Sequence, residues 1–198
     1  MENNQYNEYR YNRKKQWYRF ILGLQQMVIH PMLNLIWLVF AVGVVFLVIG
    51  ERRLLLNFEV YPLIYSVLEL CTKFLIVMFS VISVIGIVQI IGQITAMKDE
   101  GDMNLVFGDR RDVKNQPPIL ISKKVIKKKD VTVRKFYSTI PMKRWQEKKE
   151  VICDIMNIHI IGEIEYGGKH NNNGNYIVIK SARGRKPTER GVLYDDTF

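Results

Sequence analysis

The sequence predicts an α+β membrane protein: a two-helix transmembrane hairpin followed by a small cytoplasmic α/β sandwich domain of strand-strand-helix-strand-strand order. Three observations predict it. Two apolar runs, Leu33–Ile49 (LNLIWLVFAVGVVFLVI) and Phe74–Gly92 (FLIVMFSVISVIGIVQIIG), contain no charged residue. Basic residues flank the pair on both outer sides. Beyond Pro117, short β-branched runs bracket one stretch with helical spacing.

Each run suits a span. At about 1.5 Å per residue it reaches nearly across a hydrocarbon core of roughly 30 Å. Backbone groups in lipid must bond within their own segment, which leaves the helix for a single uncharged run. Buried helices of a soluble domain usually keep a polar stripe, and neither run shows one. The first run is not a cleaved leader, because Gly50-Glu51-Arg52-Arg53 follows it where a small-residue cleavage pattern would stand.

Charge sets the orientation. Residues 1–31 carry five Lys/Arg against two Asp/Glu, residues 32–96 three against three, and residues 97–198 twenty-one against fourteen. Lys and Arg near span ends stay on the cytoplasmic side. Arg10, Arg13, Lys14, Lys15 and Arg19 precede the first span, and Lys98, Arg110 and Arg111 follow the second. Both termini are therefore expected in the cytoplasm of a multi-pass cell-membrane protein. Cys71 then lies across the bilayer from Cys153, so the two are not expected to pair.

Residues 1–31 read as a basic cytoplasmic tail, disordered to about Gln16, followed by an interfacial amphipathic helix. In that helix Trp17, Phe20, Ile21, Leu24 and Val28 recur near helical spacing, and Pro31 ends it. Residues 32–97 form the hairpin. Pro62 suits a helix start, so the second helix is expected to begin near Leu63. Glu69 and Lys73 then fall at i,i+4 as a snorkelling pair. Ser80, Ser83 and Gly86, with Gln89 and Gln93 nearer the inner end, form a candidate helix-packing face, toward the first span or another subunit.

Residues 98–117 read as a charged linker with a short helical piece. Residues 118–198 form the domain. Ile119-Leu120-Ile121 is a strand, and KKVIKKKD (Lys123–Asp130) is a basic hairpin turn. Val131–Tyr137 is a strand. Ser138 or Thr139 caps a helix carrying Met142, Trp145, Lys149, Ile152 and Met156 on one face, ended by Asn157. Ile158–Tyr166 is a strand, Gly167–Asn175 a flexible turn, and Tyr176–Ser181 the last strand. One helix on a small, mostly antiparallel sheet is the expected layering.

No catalytic constellation is present in the pattern. Gly162 and Gly167 have P-loop spacing, but Gly168 stands where lysine is required and the stretch joins strands. His30, His159 and His170 are far apart and fit no zinc spacing. No G-x-S-x-G elbow occurs. The chain is therefore expected to be non-enzymatic, with no cofactor and no metal. The basic clusters remain: Lys123, Lys124, Lys127, Lys128, Lys129, Arg183, Arg185 and Lys186 are candidate contacts to DNA or to anionic lipid. Aromatic interleaving is confined to Phe136 and Tyr137, so base stacking is not expected.

The runs PPILISKK, KFYSTIPMKRWQEKKEVICDIMNIHIIGEIEYGG, NYIVIKSARGRKP and VLYDDTF resemble the amino-terminal membrane and linker region of FtsK/SpoIIIE-type DNA translocases of conjugative elements. The resemblance is specific from about Pro117 to Phe198. It implies a membrane-anchored module of a DNA-transfer apparatus, oligomeric, tethering a motor or adaptor such as an FtsK-like ATPase. Walker A and Walker B motifs are absent, so no ATPase residue is carried over. The resemblance implies either a stand-alone anchor or the front piece of a split translocase. A different class, a subunit of a small membrane transport or signalling complex, would use Glu69, Gln89 and Gln93 as a polar path.

Overall fold

The structure is a computed structural model describing residues 2–56, 62–108, 116–126, 130–168, 170 and 172–184. The chain divides into two units at Met97/Lys98.

In the first unit, α1 spans Glu2–Ile29. The expected disordered tail is thus helical from its second residue. Residues 2–22 contain neither Pro nor Gly, so nothing stops the amphipathic helix from propagating toward the amino terminus. Arg19, Leu22, Gln26 and Met27 are buried on one face of it. A 3-10 turn at Pro31–Asn34 follows, and α2 runs over Leu35–Leu56. The helix α3 spans Pro62–Phe107 and starts at the proline, as expected.

Two helices, Pro31–Arg53 and Ile64–Phe107, are long and apolar enough to cross a membrane. The apolar window of the first has no buried residue, and that of the second is 11% buried. Their apolar side chains therefore point away from the chain itself. Among the described residues, contacts tie the helices of this unit together. Thr72 Oγ1 donates to Glu51 Oε1 at 2.7 Å, joining α3 to α2. Helix α1 meets α3 backbone to backbone: a Cβ on Gly23 would overlap the Val88 carbonyl oxygen, and one on Gly92 the Arg19 carbonyl oxygen. Val88, Gly92 and Ala96, four apart and so on one face, are buried.

The second unit begins with residues 98–107, the helical end of α3, and continues into five strands. β1 is Ile119–Ile126, β2 Val131–Tyr137, β3 Ile158–Ile160, β4 Glu165–Gly167 and β5 Asn173–Arg183. The order is β1-β2-β5-β3, with β4 also on β5, and every pairing is antiparallel. β1 is longer than the expected strand and carries Lys123 and Lys124 within the ladder.

The single expected helix is two, α4 (Met142–Glu147) and α5 (Lys149–Met156), broken at Lys148. Ser138 does not cap it; its Oγ instead accepts from Ile140 N at 3.0 Å, and Pro141 occupies the cap position. Asn157, at φ 50° in the left-handed region, ends α5 as expected. Gly162, at φ 79°, divides the expected long strand into β3 and β4.

One sheet face carries the core. Phe136, Ile177 and Ile179 are buried there. Trp145 lies 6.0 Å from Phe136 and 4.7 Å from Phe107, centroid to centroid, so α4 and residues 98–107 cover the same face.

Candidate functional site

The register of β1, β2 and β5 decides which charges face out. Lys124, Val133 and Lys180 form one cross-strand row, and Ser122, Lys135 and Val178 the next. Successive side chains in a strand alternate between faces. These residues therefore lie opposite the Phe136–Ile177–Ile179 core face. Helix α4 and residues 98–107 lie on the core face. On the opposite face Lys124 is exposed, and Ser122, Val133, Lys135, Val178 and Lys180 are half-buried.

Within that face, the Lys135 ammonium sits 4.5 Å from the centroid of the Tyr176 ring. The Tyr137 and Tyr176 rings meet edge to face at 6.3 Å. Lys180 Nζ is 3.0 Å from both carboxylate oxygens of Glu165. Lys124 is exposed on this face. Arg183, also exposed, follows the alternation of Ile177, Ile179 and Ser181 and so lies at the end of β5 on the opposite, core side. The result is a shallow cationic sheet surface with a tyrosine pair at one end. It offers point charges to an anion and brings no nucleophile together with a base.

Lys123 is placed differently. A register irregularity between Leu120 and Ser122 inserts Ile121 without a partner and puts Lys123 opposite Arg134 on the core face. There its Nζ lies 2.9 Å from Asp99 Oδ2. Arg134 Nε donates to the same oxygen at 3.1 Å, and its Nη1 donates to Ser181 Oγ at 2.7 Å. Glu100 Oε1 accepts from Leu120 N at 2.8 Å. Residues 99 and 100 thus fasten the helical segment to the sheet. Lys123, expected on the anion-contacting surface, serves this internal network. Burial pushes the nearby Asp102 carboxyl above the ordinary carboxylate range, against the opposing pull of Lys98.

Of the other sequence candidates, Lys127, Lys128, Lys129, Arg185 and Lys186 lie outside the described residues. Lys135 and Lys180 were absent from the expected set. The period-two alternation of VTVRKFY and NYIVIK is the signal that would have found them. His159, half-buried, has Nδ1 3.0 Å from the Gly184 carbonyl oxygen. His170 is an exposed turn residue. Among the described residues, no group of three or more His, Cys, Asp or Glu could hold a metal ion. Both cysteines are free.

The candidate packing face on α3 makes no close helix approach within the described chain. Ser80 bonds back to the Ile76 carbonyl oxygen at 2.8 Å, Gly86 has no neighbour near its Cβ position, and Gln89 and Gln93 are exposed. Within the chain the close approach uses Gly92. Glu69 and Lys73 form the expected i,i+4 pair at an exposed position.

No family model matches the chain, and no curated protein matches it. Among solved structures, part of it is similar to the conjugation coupling protein TcpA of pCW3, in a monomer form with ATPγS, at 27% identity and a TM-score of 0.37. The match covers 46% of this chain and 25% of that one, so the chain spans about a quarter of the length of that protein.

Proposed function

We propose that this chain is a membrane-anchored, non-enzymatic module of a DNA-transfer apparatus, using the lysine face of its sheet to contact DNA. Lys124, Lys135 and Lys180, in register on the sheet face opposite the core, carry the proposal. Cations set in register on a rigid sheet suit a polyanion whose phosphates are read without regard to sequence. The resemblance of residues 117–198 to FtsK/SpoIIIE-type translocases supports DNA as that polyanion and a motor ATPase as the protein partner. The unburied apolar helices support anchoring, and the flanking basic residues support cytoplasmic termini.

The test uses the full chain in detergent and random-sequence duplex DNA, followed by fluorescence anisotropy across a salt series. Affinity should fall steeply with salt, with a slope near −0.9 per phosphate contact. Removing three cations in Lys124→Gln/Lys135→Gln/Lys180→Gln should flatten that slope by about 3. Salt-independent binding, or unchanged binding by the triple variant, would refute the assignment. Orientation is read separately in a cysteine-free background. An impermeant maleimide should label Asn57→Cys in intact cells and leave His170→Cys unlabelled.

A further inference from the structure

Beside the crossing of α1 and α3 lies a groove of about 720 Å³ lined by both helices, among them Arg13, Lys14, Trp17, Phe20, Ile85 and Gln89. It is continuous in its lining with a smaller groove of about 310 Å³ that shares Gln16 and Gln89 and reaches Gln93. The larger volume falls in the range of about 300–1,000 Å³ typical of small-molecule sites.

We infer that this groove binds the headgroup and upper acyl chain of one anionic phospholipid; the inference rests on the membrane-anchored reading above. The lining is sorted by chemistry. Arg13, Trp17 and Phe20 sit at i, i+4 and i+7, so a cation and two aromatics share one face of α1. The Trp17 and Phe20 rings stack at 6.3 Å and 26°, and Trp17 is 62% exposed, which makes an apolar wall open to an incoming chain. Ile85 continues the apolar wall on α3.

Depth agrees with the chemistry. Gln89 lies near the end of the uncharged run that closes at Gly92, where hydrocarbon gives way to headgroups. A phosphate there meets the Arg13 guanidinium, whose planar fork suits phosphate oxygens, and the Lys14 charge beside it. The Gln89 amide can donate to ester or phosphate oxygens. The close approach at Gly23 and Gly92 fixes the two walls relative to each other.

The full chain in mild detergent is titrated with phosphatidylglycerol and with phosphatidylcholine, and bound lipid is counted by native mass spectrometry. One phosphatidylglycerol should be retained, with roughly thirty-fold preference, the equivalent of about 1 kcal/mol for each of two cations. Arg13→Gln/Lys14→Gln should reduce retention to the phosphatidylcholine level. Ile85→Trp, which fills the groove and keeps every charge, should do the same. Arg52→Gln/Arg53→Gln, on the hairpin's other end, should change nothing. Equal retention of both lipids overturns the inference. So does a preference that survives Ile85→Trp, the sign of diffuse charge attraction, or displacement of lipid by equimolar glycerol phosphate, the sign of a soluble-anion site. Failure to float with reconstituted phosphatidylcholine vesicles would instead sink the membrane reading itself. Flotation without phosphatidylglycerol preference sinks the groove alone.

Discussion

Asp99 holds the second unit's helical segment to its sheet, and removing its carboxylate tests that role. Its side chain is 3% exposed and one oxygen accepts from both Arg134, 10% exposed, and Lys123, 26% exposed. Breaking a buried ion pair from one side costs about 3–5 kcal/mol, because the surviving charge stays buried without compensation. Two features place Asp99→Ala at the low end. Arg134 keeps its bond to Ser181 Oγ, and Lys123 is exposed enough to swing toward water. A loss of about 3 kcal/mol should speed exchange of globally protected β2 amides on the order of a hundredfold. Hydrogen exchange of the full chain in detergent, read on peptides covering Val131–Tyr137, measures it. Asp99→Leu/Arg134→Met, which removes both charges, should recover most of the loss. Exchange within threefold of the parent in Asp99→Ala would refute the fastening role.

Trp145 is fully buried, and among the described residues its indole nitrogen has no hydrogen-bond partner. Trp145→Ala should cost about 3–5 kcal/mol in urea unfolding. Trp145→Phe should cost far less, because the donor it removes is unsatisfied. Asp102 has its folded pKa raised by burial. The stability it contributes is fully present below the unfolded value near 3.9 and is lost as pH rises through the folded pKa. Asp102→Asn should therefore be the more stable protein at neutral pH, with the difference closing as pH falls through the carboxylate range; equal stability at both ends would contradict this. Gly92→Leu should force α1 off α3, at about 1–3 kcal/mol or more for overpacking. It should raise exchange in α1 and leave the sheet's exchange unchanged. Gly86→Ala, which meets nothing within 4 Å, is the neutral control.

What was legible in the sequence was what depends on runs and punctuation. The two apolar helices, the start of α3 at Pro62 and the stop of α5 at Asn157 all follow from local residue types. How far a helix propagates, and features set by tertiary contact, were not legible. Residues 2–16 look like a polar tail, yet continue a helix whose buried face begins only at Arg19. Residues 98–107 are the helical piece expected in the charged linker, but their attachment through Asp99, Glu100 and Phe107 to the sheet and α4 was not legible. The site divides in the same way. Lys124 and Arg183 stand exposed as their clusters suggest. Lys123 turns inward because the extra residue at Ile121 shifts the alternation, which no count of basic residues can reveal. Lys135 and Lys180 join the face only through pairing with strands remote in sequence.

The choice between lipid and protein as the cover for α2 turns on geometry around its axis. Phe46, Leu47, Val48 and Ile49 are four consecutive exposed apolar residues, a full turn, and Leu35, Ile36, Leu38, Val39, Val42 and Val45 repeat the pattern before them. Full exposure of such a side chain costs about 1.5–3 kcal/mol, and these are 36–74% exposed, so the ten together match the roughly 5–15 kcal/mol that holds a domain folded. Something must therefore cover them. A partner helix would cover a stripe and leave the far side polar. Exposure through the whole circumference calls for a cover that reaches every side at once, as a solvent does. The hydrocarbon of the proposed membrane anchoring would supply such a cover, and the Leu33–Ile49 run has no charge to keep out of it. The contact between α1 and α3 supports the same choice. It is built from Gly23, Gly92 and a buried Arg19 and Gln26, a close-packed and partly polar seam of the kind helices form where apolar burial gives them no reason to associate.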